Sequence, residues 1–181
     1  METAYDRLEW DFIRKCLHKL GFHPQWIQWI IKCISSVSYS LLINGEPKGL
    51  FQPSRDIRQG DPLSPYIFIL CIEVLTISLV KEATMAKSGI RIKICPKSQK
   101  IRCLLFADDC LLFCKSNQQT STRLKLILDQ FCMLSRQLVN FHKYVLTFFK
   151  NITSGKQQTT MCFFNIPKSR SLGTYLGCPD F

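Results

Sequence analysis

Two adjacent carboxylates, Asp108 and Asp109, sit inside the run LLFADDCLLF, between apolar stretches that carry almost no charge. Each flanking stretch has the length and apolarity of a buried strand, so Ala107-Asp108-Asp109 reads as the tip of a β-hairpin. Two ionised carboxylates roughly 4 to 6 Å apart repel by a few kcal/mol at an effective dielectric of about 20. Protonating one of them relieves that repulsion, and so does holding a cation between them. The second solution is the one metal-dependent nucleotidyl transfer uses. Taken alone, an Asp-Asp pair is also a common solvated turn, so the elements around it have to decide.

The order of those elements follows from periodicity. Leu8, Phe12, Ile13, Cys16, Leu17 and Leu20 recur at helical spacing, with Gly21 placed to end that helix. Pro24 opens a second helix that runs to about Ile34. Val37 to Asn44 reads as a strand that turns at Asn44-Gly45 and pairs with a short strand near Leu50. A polar loop, Gln52 to Asp61, leads through Pro62 and Pro65 into a long apolar core helix ending near Lys87. Its most apolar part, Tyr66 to Val80, is too short to span a membrane and contains Glu73. Ile90 to Ile94 alternates apolar and basic residues as an edge strand would, and the Asp-Asp hairpin follows. Leu124, Ile127, Leu128, Phe131, Leu134 and Leu138 mark another amphipathic helix. Strands are expected at Tyr144 to Phe149, Cys162 to Ile166 and Thr174 to Gly177. Helices and strands interleave with no repeat and no dividing linker, which predicts one domain over residues 1–181, an antiparallel sheet covered by helices on one face.

Composition narrows the function classes. The 181 residues are 46% hydrophobic and 20% charged, which suits a globular core and argues against disorder. The net charge is +11 and unevenly spread. No acid lies between Glu82 and Asp108, where Lys87, Arg91, Lys93, Lys97, Lys100 and Arg102 fall. A second acid-free stretch, Gln130 to Pro179, carries six more Lys and Arg residues. Such asymmetry favours a polyanionic partner, nucleic acid first and an anionic membrane surface second. The ten cysteines lack CxxC spacing and mostly sit in apolar segments (Cys16, Cys33, Cys71, Cys103, Cys132), as buried thiols in a reducing compartment would. His18 and His23 have no Cys or His nearby to complete a ligand set and read as structural. The acidic start, with Glu2, Asp6 and Glu9, is unlike a secretory signal, so an intracellular protein, nuclear or cytoplasmic, is expected.

Five segments fall in a telling order: AYDRLEWDF (Ala4 to Phe12), RQGDPLSPYIFIL (Arg58 to Leu70), FADD (Phe106 to Asp109), NFHK (Asn140 to Lys143) and YLGCP (Tyr175 to Pro179). Together they resemble the palm of a reverse transcriptase, an RNA-directed DNA polymerase, and most closely the LINE-type, non-LTR retrotransposon branch as worded in plants. The resemblance covers essentially the whole chain, and RQGDPLSP followed by FADD is its most specific part. It implies an α+β polymerase palm without most of the fingers and without the thumb. It implies RNA-templated DNA synthesis in which two Mg²⁺ ions assist attack of a primer 3′-hydroxyl on an incoming deoxynucleotide. Mg²⁺ takes carboxylate and phosphate oxygens, so Asp108 would be the main metal ligand with Asp109 assisting. By the same resemblance Gln59 and Gly60 would contact the nucleotide or templating base. Tyr5 would be the aromatic gate that rejects a 2′-hydroxyl, and Lys143 would lie near the triphosphate. The partners implied are an RNA template, a DNA primer and deoxynucleoside triphosphates, with no membrane.

The resemblance breaks at one point. Relatives carry an aspartate five residues before the gate aromatic, a position that would be residue zero here. Asp6 and Glu2 are not expected to substitute, because on a strand they would face away from Tyr5. A concerted catalytic set that loses a member loses nearly all of its benefit, so this polypeptide alone is expected to show no measurable polymerisation. The alternative reading from these residues is a noncatalytic nucleic-acid-binding remnant.

Overall fold

The computed structural model describes residues 5–84, 89–93, 97–106, 109–138 and 145–166. The expected strand at Thr174 to Gly177 lies outside them, as do the segments NFHK and YLGCP. The chain divides into two compact units, one made of Thr3–Val74 with Cys132–Leu138, the other of Leu75–Phe131 and Val139–Phe181 with Met1–Glu2.

In the first unit, helix α1 (Trp10–Lys19) buries Phe12, Ile13, Cys16 and Leu17 along one face. It ends as its sequence dictates. Gly21 takes φ +86°, its N–H bonds His18 O, and Phe22 N–H reaches back to Leu17 O. Those two bonds are the paired closure of a Schellman motif, which needs a left-handed residue at the glycine position. Helix α2 (Pro24–Ser35) starts with proline at N1 and is capped by His23, whose Nδ1 accepts from Gln25 N–H at 3.3 Å. His23 is therefore structural, as expected. Ile27, Ile30 and Ile31 of α2 are buried, whereas Trp26 and Trp29 are exposed. Each fully buried Ile or Leu contributes about 1.5–3 kcal/mol. Strands β1 (Tyr39–Ile43) and β2 (Glu46–Phe51) form an antiparallel hairpin in which Ile43 faces Glu46. Its turn residues Asn44 and Gly45 have φ +53° and +82°, the positive values a two-residue hairpin turn of this type requires.

Helix α3 (Ser64–Thr84) is approached through a cap built from the sequence Asp61-Pro62-Leu63. Asp61 Oδ1 accepts from Leu63 N–H at 2.8 Å, with Pro62 at the position where a missing N–H does no harm. The helix is not buried all round. Ile67, Phe68, Cys71, Ile72, Leu75, Leu79 and Ala83 are buried, but Tyr66, Ile69 and Ile77 are exposed. No described helix is long and apolar enough to cross a membrane.

In the second unit, β3 (Ile92–Lys93) pairs with β4 (Lys100–Ile101), and β5 (Cys103–Phe106) pairs with β6 (Asp109–Leu112). Arg102, between β4 and β5, still accepts from Phe113 N–H at 2.7 Å. Helix α4 (Gln118–Ser135) is capped by Asn117, whose Oδ1 accepts from Thr120 N–H at 2.8 Å. It buries Leu124, Ile127 and Phe131, and Arg123 pairs with Glu82 of α3 at 2.8 Å. Leu134 and Leu138 are exposed, and Leu138 lies beyond the helix, so the amphipathic face is shorter than its periodicity suggested.

Three expectations need correcting. Cys162 to Ile166 is not a strand: helix α5 (Ser154–Phe164) takes in Cys162 to Phe164, and Asn165 closes it at φ +52°. A short segment with four apolar residues cannot by itself distinguish strand from helix, and the polar, helix-compatible residues before it decide the outcome. Of the strand expected at Tyr144 to Phe149, Tyr144 lies outside the described residues, and Val145 to Phe149 is not a strand, with Leu146 alone in a β-bridge. The described strands form three two-stranded ladders rather than one continuous sheet, although every pairing is antiparallel as predicted. The eight described cysteines are free thiols, as expected, and differ from expectation only in burial. Cys16 and Cys71 are buried and hydrogen-bonded to one another, but Cys33 is exposed.

Two positions give direct tests. Gly89 has φ +70°, its carbonyl accepts from Lys115 N–H at 2.9 Å, and a Cβ there would collide with the Thr120 side chain. Gly89→Ala should therefore lower stability by roughly 1–3 kcal/mol in urea unfolding. Asp56 is the opposite case, a non-glycine residue held at φ +107°. Its Oδ1 is buried and has no hydrogen-bond partner among the described residues, and burial, reinforced by the charge of Asp6, raises its carboxyl pKa against the pull of Ile57 N–H. Asp56→Gly should stabilise by about 1 kcal/mol, because glycine alone adopts this φ without strain. A raised folded-state pKa means that the ionised form disfavours folding. The advantage of Asp56→Asn over the parent should accordingly be full above the folded pKa and shrink as pH falls toward about 4, the unfolded value. Paired melts from pH 4 to 8 measure it.

Candidate functional site

The N-terminal segment of the first unit is a turn, not a strand. Residues 5–7 form this turn, and Tyr5 O accepts from Leu8 N–H at 3.5 Å and from Ile57 N–H at 3.2 Å. Two further bonds tie the same segment to the loop before α3. Asp56 N–H donates to Leu8 O at 3.1 Å, and the Trp10 indole N–H donates to Asp56 O at 2.8 Å. Ile57 is fully buried beneath this clasp. Arg58 to Gly60 thus follow a residue fixed by both its backbone and its side chain.

Three of the residues singled out in the sequence come together here. The Tyr5 ring meets Phe68 of α3 edge to face, with centroids 5.2 Å apart and planes at 68°, and the ring remains partly open to solvent. Gln59 Nε2 donates to Asp6 Oδ1 at 3.3 Å, and both residues are exposed. Gly60 has φ +85°, and no atom lies within 4 Å of the place a Cβ would occupy. Residues 5–7 form a turn, so the strand on which Asp6 was expected to face away from Tyr5 is absent; the Asp6 carboxylate accepts from Gln59 and the Tyr5 ring packs on Phe68. A half-exposed aromatic ring, a carboxamide and an unobstructed glycine backbone can together hold a planar base and its sugar. Asp6 and Phe68 were not picked out as site residues in the sequence. The one signal for Phe68 was its place on the apolar face of the helix that RQGDPLSP begins.

The carboxylate site is described in part. The β5–β6 register pairs Phe106 with Asp109, and Asp109 is exposed. Asp108 and Lys143 lie outside the described residues. The runs flanking the acidic pair form the expected hairpin, but they are not uniformly buried, since Leu104 is 47% exposed and Cys110 is exposed as well. Among the described residues no group of three or more His, Cys, Asp or Glu side chains is placed to hold a metal ion. Asp109 does supply a solvent-facing hard oxygen donor, the type that Mg²⁺ accepts, and Asp108 would add a second.

The chain also has recognisable kin. An uncharacterized mitochondrial protein of Arabidopsis thaliana is 53% identical to it over 68 residues, which make up 38% of this chain and 55% of that protein. The chain thus spans about half the length of this curated relative. Residues 1–179 match the family described as reverse transcriptase (RNA-dependent DNA polymerase), with Tyr5, Gln59, Gly60 and the FADD segment all inside the match. The chain, a mixed α+β protein with short antiparallel ladders, belongs to the reverse transcriptase family.

Proposed function

We propose that this chain forms the nucleotide-holding palm of an RNA-templated DNA polymerase of the LINE-type, non-LTR retrotransposon branch, acting as one domain. The observation that supports this most is the convergence of Tyr5, Gln59 and Gly60 on one clasped loop, from positions more than fifty residues apart in sequence. Tyr5, braced by Phe68, would stack beneath the sugar and leave no room for a 2′-hydroxyl. Gln59 has a carboxamide able both to donate and to accept, which suits a base edge or a ribose oxygen. Gly60 lets the backbone approach closely, and any side chain there would be strained at φ +85° as well as obstructive.

Asp108 and Asp109 would hold Mg²⁺ against the nucleotide phosphates, and Lys143 would complement the triphosphate charge. When bound, Mg²⁺ would neutralise charge at the phosphates and lower the cost of attack on them. The RNA template and DNA primer would be the macromolecular partners.

Binding of a fluorescent deoxynucleoside triphosphate to the 181-residue chain tests this reading. Affinity should require Mg²⁺, and Asp108→Ala or Asp109→Ala should each weaken it roughly tenfold or more, about 1.4 kcal/mol. Tyr5→Ala should narrow the preference for deoxynucleotides over ribonucleotides, and Tyr5→Phe should keep it. Binding that is unchanged in EDTA, or indifferent to both aspartates, would refute the assignment.

A further inference from the structure

Helix α2 buries Ile27, Ile30 and Ile31 and leaves its two tryptophans outside. Trp26 is 51% exposed and Trp29 54%. Three residues apart on a helix, their Cβ atoms lie about 5–6 Å from one another on the same stretch of surface. The Phe22 ring continues the row, its centroid 6.1 Å from that of Trp26 and the two planes inclined at 37°. The third tryptophan is used differently. Trp10 donates its indole N–H to Asp56 O in the clasp, whereas the indoles of Trp26 and Trp29 make no hydrogen bond among the described residues. Rings of this size left in water forgo a large burial gain, and tryptophan is enriched where one surface meets another.

The chain around these rings carries charge of one sign. No acidic residue lies between Asp11 and Glu46, a stretch that holds Arg14, Lys15, Lys19 and Lys32. All four are exposed, and only Arg14 has an ion pair among the described residues, with Asp11 at 4.0 Å. Lys32 stands three residues after Trp29 and so lies beside it on the helix surface. Gln25 and Gln28, also exposed, are the other polar neighbours. Past Lys32, Cys33 shares a small hollow with Asp56 and Asp61, which marks the end of the row.

We propose that the Trp26–Trp29 face of α2 is a stacking platform for single-stranded nucleic acid, with Lys32 beside it to meet a phosphate. Every base has a π-face that can lie on an indole, so such a platform holds a strand without reading its sequence. Rings at neighbouring positions on one helix can receive neighbouring bases of one strand. A protein partner fits less well. At about 250 Å² for a whole tryptophan, the two half-open rings offer about 260 Å², against about 800 Å² a side for a stable protein interface. A second copy of the chain would also bring like charges together around the same rings. None of the residues assigned to the nucleotide or to Mg²⁺ takes part, so this surface stands or falls apart from the polymerase reading.

The test measures binding of a labelled single-stranded DNA of mixed sequence to the full chain, beside an abasic strand of the same length. The parent should bind the base-bearing strand roughly tenfold or more tightly than the abasic one, and only the former should quench its tryptophan fluorescence. Trp26→Leu/Trp29→Leu should lose about tenfold or more in affinity for the base-bearing strand, as the loss of stacked bases implies. Trp26→Phe/Trp29→Phe, which keeps a π-face at each position, should retain most of the binding. Lys32→Gln should lower the slope of log affinity against log salt by about 0.7. Both rings are half exposed, so the Leu variant should keep the parent melting temperature, and the abasic comparison needs no variant at all. Equal affinity of the parent for the two strands, or a Leu variant that binds as the parent does, would overturn the proposal. So would self-association of the parent in sedimentation that the Leu variant loses with strand binding intact, since the face would then belong to a second copy.

Discussion

The first unit depends on a short clasp of backbone hydrogen bonds between the turn that begins at Tyr5 and the loop that precedes α3. Tyr5 O and Leu8 O receive the N–H groups of Ile57 and Asp56, and Trp10 closes the clasp by donating to Asp56 O. Each such bond contributes only about 1 kcal/mol net, but leaving any of these buried groups unpaired would cost more than that. The clasp works because both sides are anchored: α1 by its buried face and closing glycine, α3 by the cap at Asp61. It brings the aromatic ring, the carboxamide and the open glycine together without requiring any of the three to be buried.

The strain at Asp56 belongs to the same device. A residue at φ +107°, with a buried oxygen that no described residue bonds and a like charge nearby, is not what stability alone would select. Its amide and carbonyl are nonetheless both used in the clasp. The surrounding bonds over-determine this position, and the loop then presents Arg58 to Gly60 in a fixed conformation.

Local chemistry made much of the fold legible. Gly21 after an amphipathic run, Pro24 behind a capping histidine, Asn44-Gly45 between two strands and Asp61-Pro62 before an apolar run each act within a few residues. Each appears where its residue types demand. The hairpin around the acidic pair was equally readable, since two apolar runs flank a two-residue gap between the paired Phe106 and Asp109. Legibility fell where an apolar segment was short. Cys162 to Ile166 contains residues that suit either a strand or a helix, and the preceding polar turns with the left-handed Asn165 decided for the helix. Tyr144 to Phe149 had the composition of a strand, but among the described residues only Leu146 makes a single bridge.

The sequence by itself determined the family, the order of the elements and the residue types available for chemistry, because these follow from motif spacing and from periodicities of 2 and 3.6 residues. It also determined the uneven charge, which needs no fold to be counted. Tertiary structure alone decided that Asp6 bonds Gln59, that Phe68 braces Tyr5, and that Lys93 stands opposite Lys100. It also decided that α3 leaves Tyr66 and Ile69 exposed although the helix is mostly apolar. The physical reason is the same in each case. Pairing register, turn geometry and the choice of buried face are settled by contacts between residues distant in the chain, and no local pattern encodes them.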